Sequence, residues 1–151
     1  MNIPLTSFTL ADGTPLGKFP DSSPGLTIGG AVRWDNDSDP PRIVCMVSAL
    51  GNVDRHGSAP MKLRLGVLKI GAYDSPTFDI TLAPMVCGQY RPGTRVDLTS
   101  TAVSGNTFQV VEATERLAVD AGTICYALCV KPTPGTLHND EVEIVAVEWL
   151  V

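Results

Sequence analysis

Charge is scarce in this sequence. Only 18% of its 151 residues are Asp, Glu, Lys or Arg, against about 25% in an average soluble domain. Bases are scarcer than acids, eleven against sixteen, so the formal net charge is −5. The eleven lie scattered, and the densest spacing is an alternating pair such as Lys62 and Arg64. Nucleic-acid binding draws most of its affinity from clustered cations that neutralise phosphates. Direct contact with DNA or RNA is therefore not expected. Histidine is scarcer still. His56 and His138 each sit in a turn-rich loop, "DRHGS" and "LHND", with an acid within two residues. No G-x-S-x-G elbow accompanies them, and "IGGAVRW" and "RPGT" fit neither G-x-G-x-x-G nor the P-loop pattern. Two isolated loop histidines supply neither a triad nor the metal ligands of a cupin-like barrel. No catalytic residue, cofactor or metal centre is expected.

Long apolar runs are missing too. Nothing approaches the ~20 residues of a membrane-spanning helix. The opening "MNIPLTSFTLADG" lacks a basic segment followed by an apolar core, so a signal peptide is not expected. Synthesis in a reducing cytoplasm follows, and the four cysteines read as thiols. Cys125 and Cys129 lie four apart in "GTICYALCVKP", a segment of strand-forming residues opened by Gly122 and closed by Pro132. Four residues of strand cover about 13 Å at ~3.3 Å each, whereas a disulfide needs α-carbons within roughly 7 Å. The two thiols cannot act together and are read as small core hydrophobes, as free cysteines usually are. Cys45 and Cys87 have no ligand partner close in sequence.

What is abundant is turn chemistry, with fourteen glycines and twelve prolines. They separate short β-rich runs near 26–34, 42–50, 61–70, 77–83, 85–90, 94–100, 106–112, 122–131 and 142–151. In the third of these, Met61, Leu63, Leu65 and Val67 alternate with Lys62 and Arg64, the mark of a half-exposed strand. Val96 and Leu98 are expected to form a hairpin with Phe108 and Val110 across 101–105. The best helical stretch is "VEATERLAVDAG", 111–122, and one turn at most is expected there. "VEIVAVEWLV" places Val145, Val147, Trp149 and Val151 on one face and Val142, Ile144, Ala146 and Leu150 on the other, which implies burial from both sides. The fold class is all-β: an antiparallel two-sheet sandwich, jelly-roll-like, at 25–151. Ahead of it residues 1–24, with Pro4, Pro15, Pro20 and Pro24, form an extended N-terminal arm. Ile3, Leu5, Phe8 and Leu10 anchor that arm, on the protein's own core or on a neighbouring subunit.

Two further features bear on binding. Asp35, Asp37 and Asp39 in "DNDSDP" imitate the opening of a calcium loop, but Pro40 and Met46 stand where an EF-hand needs Gly and Glu. A solvated acidic turn is the plainer reading. Aromatic residues make up 6% of the chain. Trp34, beside that acidic loop, is the best candidate for a sugar platform, against a plain core role suggested by the high average burial of tryptophan.

The Pro/Gly-rich opening followed by a compact β domain, with the tracts "YRPGTRVDLTSTAVSGNTFQVVEA" and "DAGTICYALCVKP", resembles the capsid cement or decoration proteins of tailed, short-tailed bacteriophages. The resemblance implies a structural virion protein without catalytic residues. Such a protein sits on the capsid's outer surface, after assembly in the host cytoplasm, and stabilises contacts between neighbouring capsomers. Its partners would be the major capsid protein and copies of itself, as a dimer or trimer, with no membrane involved. Ile3, Leu5, Phe8, Leu10, Trp149 and Val151 are the candidate interface residues, and loss of 1–20 would leave the domain folded but detached. The alternative from a different class is a carbohydrate- or receptor-binding β-sandwich module of a virion or cell-surface assembly.

Overall fold

A computed structural model describes residues 1–48, 57–86, 95–119 and 123–150. Two five-stranded antiparallel sheets stack face to face as a jelly-roll-like sandwich. The strands in chain order are β1 (Thr9–Leu10), β2 (Gly25–Leu26), β3 (Val32–Trp34), β4 (Ile43–Ser48) and β5 (Gly57–Ile70). They continue as β6 (Phe78–Val86), β7 (Val96–Thr99), β8 (Phe108–Val119), β9 (Thr123–Pro132) and β10 (Glu141–Leu150). One sheet runs β1-β4-β9-β6-β7 and the other β2-β3-β10-β5-β8. The only helical piece among the described residues is a 3₁₀ turn at Leu5–Ser7.

Alternation decides which side chains meet between the sheets. On β5, Leu63, Leu65 and Val67 are buried while Lys62 and Arg64 stay half-exposed, as their spacing predicts. On β9, Tyr126, Leu128 and Val130 point inward. Trp34 and Phe78 meet edge to face across the core at 6.2 Å, and Tyr126 lies against Trp149 at 5.4 Å. Arrangements of this kind add about 0.5–1.5 kcal/mol beyond the area buried.

β10 departs from the expected two-faced burial. Its register against β5 shifts between Ile144 and Ala146. Such a bulge inserts one residue and reverses the parity beyond it. Val142 and Ile144 before it, and Val147 and Trp149 after it, therefore all face the core, leaving Glu143, Val145, Ala146 and Glu148 outside. A pattern that reads as two apolar faces serves one.

Other local expectations give way to pairing. The run 26–34 is a hairpin of β2 and β3, turned at Thr27–Gly30 where Gly30 adopts φ +81°. The runs 77–83 and 85–90 begin as one strand, β6, which passes through Pro84 just beyond Leu82, the last residue that β7 pairs. Residues 87–90 lie outside the described set. The helix-friendly stretch 111–119 is strand, because β8 pairs with β5 along its whole length and buries Val111 and Ala113. β7 makes no hairpin with β8. It pairs with β6 in the opposite sheet, and Phe108 and Val110 turn outward, 56% and 55% exposed.

Residues 1–24 are woven into the sandwich. Ile3 donates its N–H to Val147 and Met1 accepts from Trp149, so the first residues border β10. The 3₁₀ turn then crosses to the other sheet, where β1 borders β4. Lys18 bridges Leu26, and the chain folds back so closely that a Cβ on Gly25 would lie 2.3 Å from the Ser22 carbonyl oxygen. Only glycine fits there.

Candidate functional site

On the outer face of the β1-β4-β9-β6-β7 sheet, Asp79, Thr81, Asp97 and Lys131 gather beside Arg42 and Arg95, whereas Met46 further along β4 is 57% exposed. Val44, Cys129, Thr81 and Asp97 lie in one row across β4, β9, β6 and β7. A groove of about 460 Å³ opens over this row, walled by Arg42, Arg95 and Lys131. Its carboxylates are already engaged. Asp97 accepts from Arg95 at 3.1 Å and from the Thr81 hydroxyl at 2.9 Å. Asp79 accepts from the Thr133 hydroxyl at 2.7 Å. Short polar side chains on adjoining strands thus make a pre-arranged hydrogen-bonding floor.

Cys125 and Cys129 sit on this outer face, half-buried, rather than in the core where the sequence places them. The strand assignment holds, but Tyr126, Leu128 and Val130 take the inward parity and force both cysteines outward. Burial pushes the Cys129 thiol up, partly countered by the Arg42 and Arg95 guanidinium groups. Cys45 faces the core, and burial lifts it to about 11 despite a hydrogen bond with Ser7. Both are poor nucleophiles, because the thiolate is the reactive form.

The candidate residues from the sequence do not converge. Ile3, Phe8 and Trp149 belong to this chain's own core at 7%, 2% and 5% exposure. Leu5 packs against that core, Leu10 is half-buried on β1, and Val151 lies outside the described residues. Trp34 is fully buried and donates its indole N–H to the Pro41 carbonyl at 2.7 Å, so it offers no sugar platform. Asp35 and Asp37 bond the backbone N–H groups of Asn36 and Asp39. They act as turn caps, and no group of three or more His, Cys, Asp or Glu among the described residues could hold a metal ion. His138 is exposed, its backbone N–H donating to Asp74, and His56 lies outside the described residues.

A buried ionic cluster escaped the sequence reading. Lys69 donates to Asp140 Oδ2 and to the Gly71 carbonyl, both at 2.7 Å, and both side chains are essentially inaccessible. The same carboxylate oxygen accepts the backbone N–H groups of Tyr73 and Asp74. Asp74 in turn accepts those of His138, Asn139 and Asp140. Each aspartate caps the loop that carries the other, tying 71–77 to 133–140.

Burial raises both carboxyls, but it is outweighed: at Asp74 by the three backbone N–H bonds, at Asp140 by Lys69 and two more. Both end below the ordinary carboxylate range. A depressed folded-state value contributes stability above the unfolded pKa, about 3.9 for Asp, and that contribution is lost as pH falls through the folded value. The urea midpoint is expected to stay level for these groups from pH 7 to about pH 5 and to fall steeply below about pH 4. Asp74→Asn should flatten the acid limb; an unchanged limb would remove Asp74 from the account.

No protein-family model matches the sequence, and no curated protein matches it either. Solved structures are similar in part. One is the N-terminal endo-1,4-β-D-xylanase 10B of Clostridium thermocellum, CBM22-1–GH10 modules complexed with xylohexaose. It has 12% identity and a TM-score of 0.53, over 97% of this chain and 26% of that one. A family 16 carbohydrate-binding module-2 follows at 8% identity and TM-score 0.47, over 85% of this chain and 83% of its own. The enzymatically active domain of bacteriophage CBA120 tailspike protein 4 has 9% identity and TM-score 0.49, over 97% and 20%. At 12% identity and a TM-score of 0.53, the likeness to part of the xylanase chain is one of fold alone.

Proposed function

We propose that this chain is a non-catalytic module that binds an extended glycan across the outer face of the β1-β4-β9-β6-β7 sheet. The observation that carries this reading is the groove itself. Its volume of about 460 Å³ falls in the range of ligand sites, about 300–1,000 Å³. Its floor is built from Thr81 and Asp97, fixed by hydrogen bonds before any ligand arrives. The xylanase structure, 26% of whose chain matches this fold and which is complexed with xylohexaose, makes a glycan the first ligand class to try. A glycan array is expected to yield a binder for the parent chain. Thr81→Ala, which removes a hydroxyl from the floor, should weaken it about 3–10-fold, the loss of one hydrogen bond. An empty array, or equal binding by the variant, overturns the proposal.

A second reading, attachment to the outer surface of a phage capsid, is favoured by the other sheet. There Phe108, Val110 and Ala146 are exposed beside Gly66, and apolar surface of this kind marks contact sites. The partners in that reading are the major capsid protein and further copies of this chain. Mass spectrometry of purified virions tests it: a copy number commensurate with the shell protein supports it, and absence from the particle ends it.

A further inference from the structure

The charges along the groove are unevenly committed. Arg42, Arg95 and Lys131 face Asp79 and Asp97, a local excess of cations on a chain of net charge −5. Asp97 holds Arg95, and Asp79 is bonded by Thr133. Lys131 approaches Asp39 only at 3.9 Å, with the carboxylate largely exposed. Arg42 is exposed and forms no ion pair or side-chain hydrogen bond among the described residues. The planar fork of a guanidinium fits carboxylate and sulfate oxygens.

Position adds to charge. A second groove of about 540 Å³ shares Arg42 and Lys131 with the first, and Asp12 and Asp39 line it. The two cations stand where the grooves join, so a chain crossing the sheet passes over them. The acids of the second groove repel an anion and direct it toward the first. No aromatic side chain among the described residues lines either groove. Stacking on a neutral ring, the usual source of affinity for an uncharged sugar, has no platform here. Binding strength must come from hydrogen bonds, and the strongest are those to charged groups.

We infer that the groove selects an acidic glycan, one whose repeating unit carries a carboxylate or sulfate group, held by Arg42 with Lys131 beside it. This rests on the glycan-binding reading of the face and names its ligand class. Calorimetric titration of the full chain with hexagalacturonate, a chondroitin sulfate oligosaccharide and xylohexaose tests it, with a single-stranded oligonucleotide alongside. At least one acidic glycan is expected to bind about tenfold tighter than xylohexaose, and to weaken several-fold from low to physiological salt as screening sets in. Arg42→Gln should abolish that preference and its salt dependence, while Arg42→Lys retains part of both. Arg42 is exposed and has no ion pair among the described residues, so neither substitution threatens folding. Equal binding of acidic and neutral glycans, unmoved by Arg42→Gln, overturns the inference and leaves the glycan reading standing. Binding of none of the three glycans overturns the inference, and an empty array as well overturns the glycan reading. An oligonucleotide that binds tighter than either acidic glycan overturns it in favour of a different polyanion.

Discussion

Lys69→Met should destabilise the fold by about 3–5 kcal/mol, the usual result of removing one partner from a buried ion pair. That is a large share of the roughly 5–15 kcal/mol that holds a domain folded. The ammonium is fully buried and lies 2.7 Å from Asp140 Oδ2. Methionine fills the volume but supplies no charge, so the Asp140 carboxylate is left inside the protein with only backbone N–H donors. Its second oxygen, Oδ1, has no hydrogen-bond partner among the described residues and lies so close to Gly71 that a Cβ there would come within 2.0 Å. It therefore cannot take up a new partner by moving toward that loop. Adding Asp140→Asn to Lys69→Met should recover part of the loss, because the neutral amide still accepts from Tyr73 and Asp74. Urea unfolding measures both, and a loss under about 1 kcal/mol for the single variant would mean that the pair is solvated.

Deleting residues 1–8 should leave little folded protein, the opposite of the expectation for an independent arm. Phe8 and Ile3 are buried in the core. Phe→Ala alone typically costs about 3–5 kcal/mol and Ile→Ala about 2–5. The deletion also strips the hydrogen bonds that Met1 and Ile3 make to Trp149 and Val147, exposing the edge of β10 beside two large core residues. Circular dichroism and size exclusion of the truncated chain would report it. A cooperative thermal transition close to that of the parent would show that the strap is dispensable. Phe8→Ala in the full chain separates packing from edge pairing.

The arm shows why part of the fold was legible and part was not. Its prolines announce a segment that cannot be a central strand, and its apolar spacing announces anchors. Which surface receives the anchors depends on residues more than a hundred positions away. The same holds for the thiols. "GTICYALCVKP" reads as strand from composition alone, yet the choice between Cys129 and Val130 as the inward residue depends on register with β4 and β6. The groove was not legible because Arg42, Thr81, Asp97 and Lys131 come from four separate segments. Nothing in any one of them differs from an ordinary polar strand face. For the buried pair, Lys69 and Asp140 are 71 residues apart, and each alone looks like a solvated charge at the edge of a turn.

By itself the sequence determined that this chain is layered sheet and that Cys125 and Cys129 share one strand, because turn residues and two-residue alternation are local properties of a few consecutive side chains. Tertiary structure decided which alternate faces the core, how the bulge at Val145 and Ala146 brings both halves of β10 onto it, and which charges line the groove. Those outcomes depend on strand neighbours and register, which are settled only when distant segments compete for the same buried volume.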